Sequence, residues 1–323
     1  MSKGVLIRMV KRLLSCTASE IKKMTPMELK QSIKASEGRI ICSENVAISQ
    51  SVAGGITNAE LAASYGADLI LLNAFDVFNP VVMGLPGSEN LQDIIDEAND
   101  PLHLKKNPID QLKYLTGRPV GVNLEPVDLN SKMNEPLQEI SEGRKCTKET
   151  LQEAQKLGFD FICLTGNPGT GVTNDKIADA VKLAKQHFFG LIIAGKMHGA
   201  GVDEEVVNMK AIESFISAGA DIILLPAVGT VPGVTDEDVR DAVKLIRKSG
   251  ALSMSAIGTS QESSDQETVK QIAIRNKICG VDIQHIGDAG YSGLAPVENI
   301  YALSIAIRGL RHTMNRVGTS INR

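Results

Sequence analysis

The sequence predicts a closed, parallel (β/α)8 barrel, and three observations carry the prediction. Eight short apolar runs alternate strictly with eight amphipathic segments, the order that builds a parallel sheet layered by helices. The runs are nearly continuous and β-branched, as strands buried on both faces must be. The last five begin at Phe161, Leu191, Asp221, Ala251 and Val281, thirty residues apart at every step. One strand, one helix and two short loops need about that length. An open doubly wound sheet would rarely show eight uninterrupted units so evenly spaced.

Residues 1–38 precede the first strand and read as a helical extension closing the bottom or side of the barrel. Its start, MSKGVLIRMVKRLLSC, is interrupted by Arg8, Lys11 and Arg12, so it lacks the unbroken apolar stretch of a secretory signal and reads as an amphipathic helix. Residues 39–323 form one barrel domain. Its strands are RIICSENVAI, DLILLNAFD, PVGVNLEP, DFICLTGNPG, LIIAGKMHG, DIILLPAVG, ALSMSAIG and VDIQHIGDAG. The helices between them often begin after Thr, Asn or Asp, which cap a first turn, and often end in Gly, which stops a last one. The early units are longer: 51 residues separate Leu69 from Val120 and 41 separate Val120 from Phe161. The surplus lies in FDVFNPVVMGLPGSEN and EPVDLNSKMNEPLQEISEGRKCT, both after strand C-termini, where long loops serve as lids or oligomer arms.

Composition excludes several classes. The 323 residues carry 34 basic and 38 acidic side chains, a net charge of -4, without the basic excess of a nucleic-acid or anionic-membrane protein. Aromatics are 3% and Trp is absent, which argues against a base-stacking platform. The five cysteines are scattered without a CxxC pair, the pattern of buried reduced thiols in a cytoplasmic protein. No segment approaches the roughly 20 uncharged residues that span a bilayer. Neither GxGxxG nor GxxxxGK[ST] occurs, so no nucleotide cofactor is expected.

Polar residues collect at the strand C-termini, the face where such barrels place active sites. Buried strand ends carry polar groups only where something satisfies them. Lys196 is the sharpest candidate. It can neutralise a substrate carboxylate or phosphate, or form a Schiff base with a carbonyl; a structural ion pair with Glu125 is the competing reading. Glu44, Asp76 and Glu125 can together hold a magnesium ion, or Glu125 or Asp76 can act as a general base. His198 is a candidate acid or base. Asn73, Asn123, Thr165, Asn167, Ser255 and His285 are candidate substrate-binding residues. The loops IGTSQESSD and IGDAGYSGLAP suggest a phosphate cradle from Gly258, Thr259, Ser260, Gly287, Gly290, Ser292 and Gly293, with Asp288 among them reading as a helix cap or as holding a sugar hydroxyl. The basic tail with Arg308, Arg311, His312, Arg316 and Arg323 reads as a partner or anion contact, or as solvated helix charge.

The segments GGITNAELAASYGADLILLNAFDVFNP and IGDAGYSGLAPVENIYALSIAIRGLRHT resemble an uncharacterised family of bacterial TIM-barrel proteins, over most of the chain from about Arg39 onward. Some members carry the label phosphoenolpyruvate phosphonomutase-like or hydrolase-like. The resemblance implies magnesium and a small phosphorylated or keto-acid ligand. NLEP and GKMHGAG stand where the mutases and lyases carry a DxD-type cluster and a KxxCG-like loop, so what carries over is the fold and the ligand class.

Together these readings give an expected enzyme of lyase, aldolase or isomerase type. It would act on a small anionic, phosphorylated or carboxylated metabolite. The rival is a non-catalytic metabolite-binding regulator on the same scaffold. A homo-oligomer is expected because symmetric oligomers are common.

Overall fold

Strands β1 (Ile40–Val46), β2 (Leu69–Asn73), β3 (Val120–Leu124), β4 (Phe161–Leu164), β5 (Leu191–Gly195), β6 (Ile222–Pro226), β7 (Leu252–Ile257) and β8 (Ile283–Ile286) pair in chain order, and β8 closes on β1. All pairs are parallel. This computed structural model describes residues 10–86, 91, 92, 95 and 107–323. Residues 1–9, expected to open an amphipathic helix, and residues 87–90 of the insert after β2 lie outside that set. Helices α1 (Ala18–Ile21) and α2 (Pro26–Lys34) precede the barrel. Around it, in chain order, run α3 (Asn58–Ser64), α4 (Pro108–Thr116), α5 (Lys148–Leu157), α6 (Asn174–His187), α7 (Met209–Ala218), α8 (Asp236–Ser249), α9 (Gln266–Cys279) and α10 (Val297–Gly318). The architecture is the TIM barrel that the strand spacing predicts. Among the described residues, no helix is long and apolar enough to cross a membrane.

Strand alternation sorts the apolar side chains into two clusters. Ile41, Ile70, Val122, Ile162, Ile192, Ile223 and Ile257 face the helices. Cys42, Leu71, Cys163, Ile193, Leu224, Met254 and Ile283 fill the barrel. The absence of Trp fits this interior, which aliphatic side chains and one large ring complete: a Cβ placed on Gly121 of β3 would lie 2.2 Å from the Phe161 ring of β4. Leu13, Leu14, Ile21, Leu29 and Ile33 join the inner cluster beside the strand-starting Ile40, Leu69, Leu191 and Leu252, so the segment before β1 stoppers the bottom. Cys42 and Cys163 are buried there as free thiols, and Cys146 is half-buried. Burial pushes the Cys42 and Cys163 thiols far up and Cys146 up to about 12, which leaves them inert.

The bottom also carries a fourfold motif. Each even strand is preceded by Gly-x-Asp: Gly66-Ala67-Asp68, Gly158-Phe159-Asp160, Gly219-Ala220-Asp221 and Gly280-Val281-Asp282. Each glycine follows a helix with positive φ. Each aspartate accepts the backbone N–H of the preceding odd strand: Ile41 at 2.9 Å, Val120 at 2.8 Å, Ile192 at 3.2 Å and Ser253 at 2.9 Å. A carboxylate thus satisfies a strand-entry donor at alternate seams. Asp68 does more. Arg308 Nη1 donates to it at 2.6 Å and Arg316 Nε lies 2.7 Å away, with all three side chains buried. Two of the basic tail residues are therefore turned inward as counter-charges, and neither reaches for a partner or an anion.

Candidate functional site

A cavity of about 410 Å³ opens at the C-terminal ends of the strands. Its lining includes Glu44, Asn73, Asn123, Thr165, Asn167, His198, Gly258, Thr259, Ser260 and Gly287 from the expected set, together with Glu135, Glu262 and Asp288. Glu135 comes from the long loop after β3. That loop is strapped across the mouth by Asn134 N donating to Gly201 O and Gln138 N donating to Gly169 O, both at 2.8 Å. Backbone strain also concentrates here. Among the described residues, the non-glycine positions with positive φ are Glu37 at the bottom and Ala74, Ala200, Thr259, Ser260 and Ser292 in loops that follow strand C-termini. Such conformations persist where the surroundings over-determine them, and they cluster at active sites.

Two hydrogen-bond relays hold the polar wall. In the first, Glu125 Oε1 accepts from Arg144 Nη2 at 2.7 Å and from Asn167 Nδ2 at 2.8 Å, while its Oε2 accepts from Asn167 N at 2.8 Å. Asn167 and Asn73 exchange amide hydrogen bonds at 2.8 and 3.0 Å, and Asn73 Nδ2 donates to Asp288 Oδ2 at 2.9 Å. In the second, Asn123 Nδ2 donates to Glu44 Oε1 at 2.5 Å. His285 Nε2 lies 2.9 Å from Glu44 Oε2, but off the line of a hydrogen bond, so both ring nitrogens remain unpartnered. His198 Nδ1 accepts from Ala200 N at 3.0 Å, which places the proton of the neutral ring on Nε2. Burial holds the His198 pKa below its ordinary value, so the ring is neutral at neutral pH.

Asp288 stands apart electrostatically. Burial raises its carboxyl most, the nearby Glu44 carboxylate raises it further, and the result is about 7. Glu262 is also raised, chiefly by burial. Glu262 is not among the expected site residues, and Asp288 is expected only to cap a helix or hold a sugar hydroxyl, not to act as an acid or base. Asp288 lies just past β8 and Glu262 in the loop after β7, where no strand or helix periodicity marks a side chain. A hint was present for Asp288, the one acid in QHIGDAG.

Several expected roles are corrected. Lys196 does not line the cavity. It follows inward-facing Gly195, so alternation turns it toward the helix layer, where its buried Nζ donates to Glu204 Oε2 at 2.7 Å. The same oxygen accepts from Asn174 N at the start of α6, at 3.0 Å. The lysine thus has a carboxylate partner, and that partner is Glu204 in place of Glu125. Ser255 likewise sits one residue off the inward Met254 and Ala256, paired with outward Gln284. Asp76 Oδ1 accepts from Phe78 N and Asn79 N at 2.9 and 3.1 Å, a turn away from the cavity.

The magnesium set therefore does not converge. Glu44 is engaged by Asn123, Glu125 by Arg144 and Asn167, and Asp76 by its own turn. Among the described residues, no group of three or more His, Cys, Asp or Glu is placed to hold a metal ion. These residues do not fit magnesium. The phosphate cradle is divided too. Gly258, Thr259, Ser260 and Gly287 line the cavity, but Gly290, Ser292 and Gly293 do not. Ser292 O accepts from Asn58 Nδ2 at 2.7 Å, and a Cβ on Gly293 would lie 2.5 Å from Val46, so this stretch packs against the end of β1.

No curated protein matches the chain. Solved structures match through the fold. An archaeal fructose-1,6-bisphosphate aldolase, with its catalytic Lys bound to the carbinolamine intermediate, is 14% identical at a TM-score of 0.50, over 85% of this chain and 96% of that one. The 2,3-dimethylmalate lyase, a member of the PEP mutase/isocitrate lyase superfamily, is 12% identical at a TM-score of 0.46, over 84% and 81%. Dihydropteroate synthase of Xanthomonas albilineans is 16% identical at a TM-score of 0.42, over 83% and 90%. At 14% identity, what this chain shares with the aldolase is the barrel. The sequence itself is matched from residue 14 to residue 323 by one family, and the chain belongs to it: the family described as Domain of unknown function (DUF7916).

Proposed function

We propose that this chain is an enzyme of lyase or isomerase type that moves a proton on a small metabolite bound at the strand C-termini. One observation carries the reading: Asp288, a carboxyl lining the cavity and raised to about 7. A carboxyl in that range both takes and returns a proton at neutral pH. Asn73 engages its Oδ2, and the Asn167–Glu125–Arg144 chain holds Asn73 in turn. Oδ1 is then the oxygen turned to the substrate. Asp288 removes a proton from the carbon next to a carbonyl. The electron pair moves onto the carbonyl oxygen, where the Nε2–H of neutral His198 donates a hydrogen bond. The proton returns from Asp288 to the same or a neighbouring carbon, or the adjacent bond breaks. The reading gives Lys196 no covalent part, because its ammonium is engaged by Glu204 outside the cavity lining.

The test is hydrogen exchange with solvent. The protein is incubated in deuterium oxide with a mixed pool of small metabolites, and mass spectrometry finds any compound that gains carbon-bound deuterium. The wild type is expected to label at least one compound, Asp288→Asn to label none, and the rate to rise with pH through about 7. Equal labelling by wild type and Asp288→Asn would sink the proposal. Binding of a metabolite without exchange or conversion would favour the regulator instead.

A further inference from the structure

The lining of the cavity has a charge character that narrows the ligand. Among the described residues, no lysine or arginine lines it, whereas Glu44, Glu135, Glu262 and Asp288 do. Acids at a rim can simply be solvated. Here the acceptors are buried: Glu262 is 3% exposed and Asn123 4%, and both Glu262 Oε2 and Asn123 Oδ1 lack a hydrogen-bond partner. A buried acceptor is costly until a donor reaches it.

Glu262 also occupies the place an anion would need. Its Oε1 accepts from Ala289 N, in the loop after β8, at 3.1 Å. The absence of a side chain at Gly287 admits it: a Cβ there would lie 2.4 Å from Oε1. Asn299 Nδ2 ties down the turn that carries Glu262, donating to Glu262 O at 2.8 Å and Ser264 O at 2.7 Å. The backbone between the loops after β7 and β8, where barrels commonly bind phosphate, is filled by the protein's own carboxylate.

We infer that the substrate enters with a protonated amine at Glu262 Oε2 and a second hydrogen-bond donor at Asn123 Oδ1, and that phosphorylated and carboxylated metabolites are excluded. The substrate class is thus a cationic amine that carries hydroxyl groups beside its carbonyl, not the anion that the glycine-rich loops suggest. The inference rests on the proposed function only in taking this cavity as the substrate site.

A matched set of six-carbon probes tests it: glucamine, sorbitol and gluconate, with inorganic phosphate as a fourth, all at equal ionic strength. Melting temperature and isothermal titration are measured on the full chain. Glucamine is expected to raise the melting temperature saturably, while the other three do not. Glu262→Gln keeps the acceptor for Ala289 N and is expected to weaken glucamine roughly tenfold to a hundredfold. The inference is overturned if glucamine binds no better than sorbitol, if gluconate or phosphate binds the wild type, or if Glu262→Gln binds glucamine as well as the wild type. Normal glucamine binding with no deuterium exchange on any metabolite would overturn the catalytic reading and leave the ligand class standing.

Discussion

Replacing Asp288 by Asn removes one titration and little packing, because the amide oxygen still accepts from Asn73 Nδ2. In the folded chain this carboxyl titrates at about 7, against an ordinary 3.8. The native state therefore holds the proton more tightly than the unfolded chain. Between those two values wild-type stability falls with rising pH, by ~1.36 kcal/mol for each unit. The stability is whole below the unfolded value and lost as pH climbs through the folded one. The full interval corresponds to ~4 kcal/mol, which is a ceiling because the cavity is open to water; about 2 kcal/mol is the expected size. Urea unfolding of both proteins, from about pH 4 to about pH 8, reads the effect together with the smaller shift that losing the Asp288 charge causes in neighbouring Glu44 and Glu262. The stability difference should move in favour of Asp288→Asn across that range. A difference that stays flat with pH refutes the raised carboxyl, and with it the proton-transfer role built on it.

Four further substitutions probe other parts of the structure. Asp68→Asn strips Arg308 and Arg316 of their buried counter-charge and should cost about 3–5 kcal/mol in urea unfolding; a loss below about 1 kcal/mol would mean that the cluster is solvated. Gly121→Ala drives a methyl into the Phe161 ring and should cost about 1–3 kcal/mol. Phe161→Leu should relieve part of that loss, so a double-mutant cycle without coupling contradicts the contact. Lys196→Met removes the donor to Glu204 and should lower stability by about 1–3 kcal/mol while leaving deuterium exchange within about twofold of wild type. Abolished exchange in a folded Lys196→Met protein would return this lysine to the chemistry.

How far the site was legible depends on what a period of two can say. The barrel was legible because burial on both faces makes its strands continuously apolar, and because the last five units share one length. Asn73, Asn123, Glu125 and His285 were legible as polar positions on the inward register, where only a functional wall or a structural partner explains a polar side chain, and of the four Asn73 and Asn123 line the cavity. Lys196 and Ser255 were misread because they stand one residue out of that register. Counting from Ile193 on β5 and from Met254 on β7 would have turned both toward the helices. The Gly-x-Asp repeat was equally open to view, written four times at the entry of alternate strands. Glu262 was not, and Asp288 showed only as a polar residue past a strand end, since both lie beyond the strands and neither burial nor a carboxyl's neighbours can be read from spacing. Their placement inverts the apparent chemistry of the glycine-rich turns. Glycine there admits a buried carboxylate as readily as a phosphate, and Glu262 on Ala289 N takes the first course. The sign of the ligand's charge therefore follows from one side chain's position, not from the composition of the loops around it.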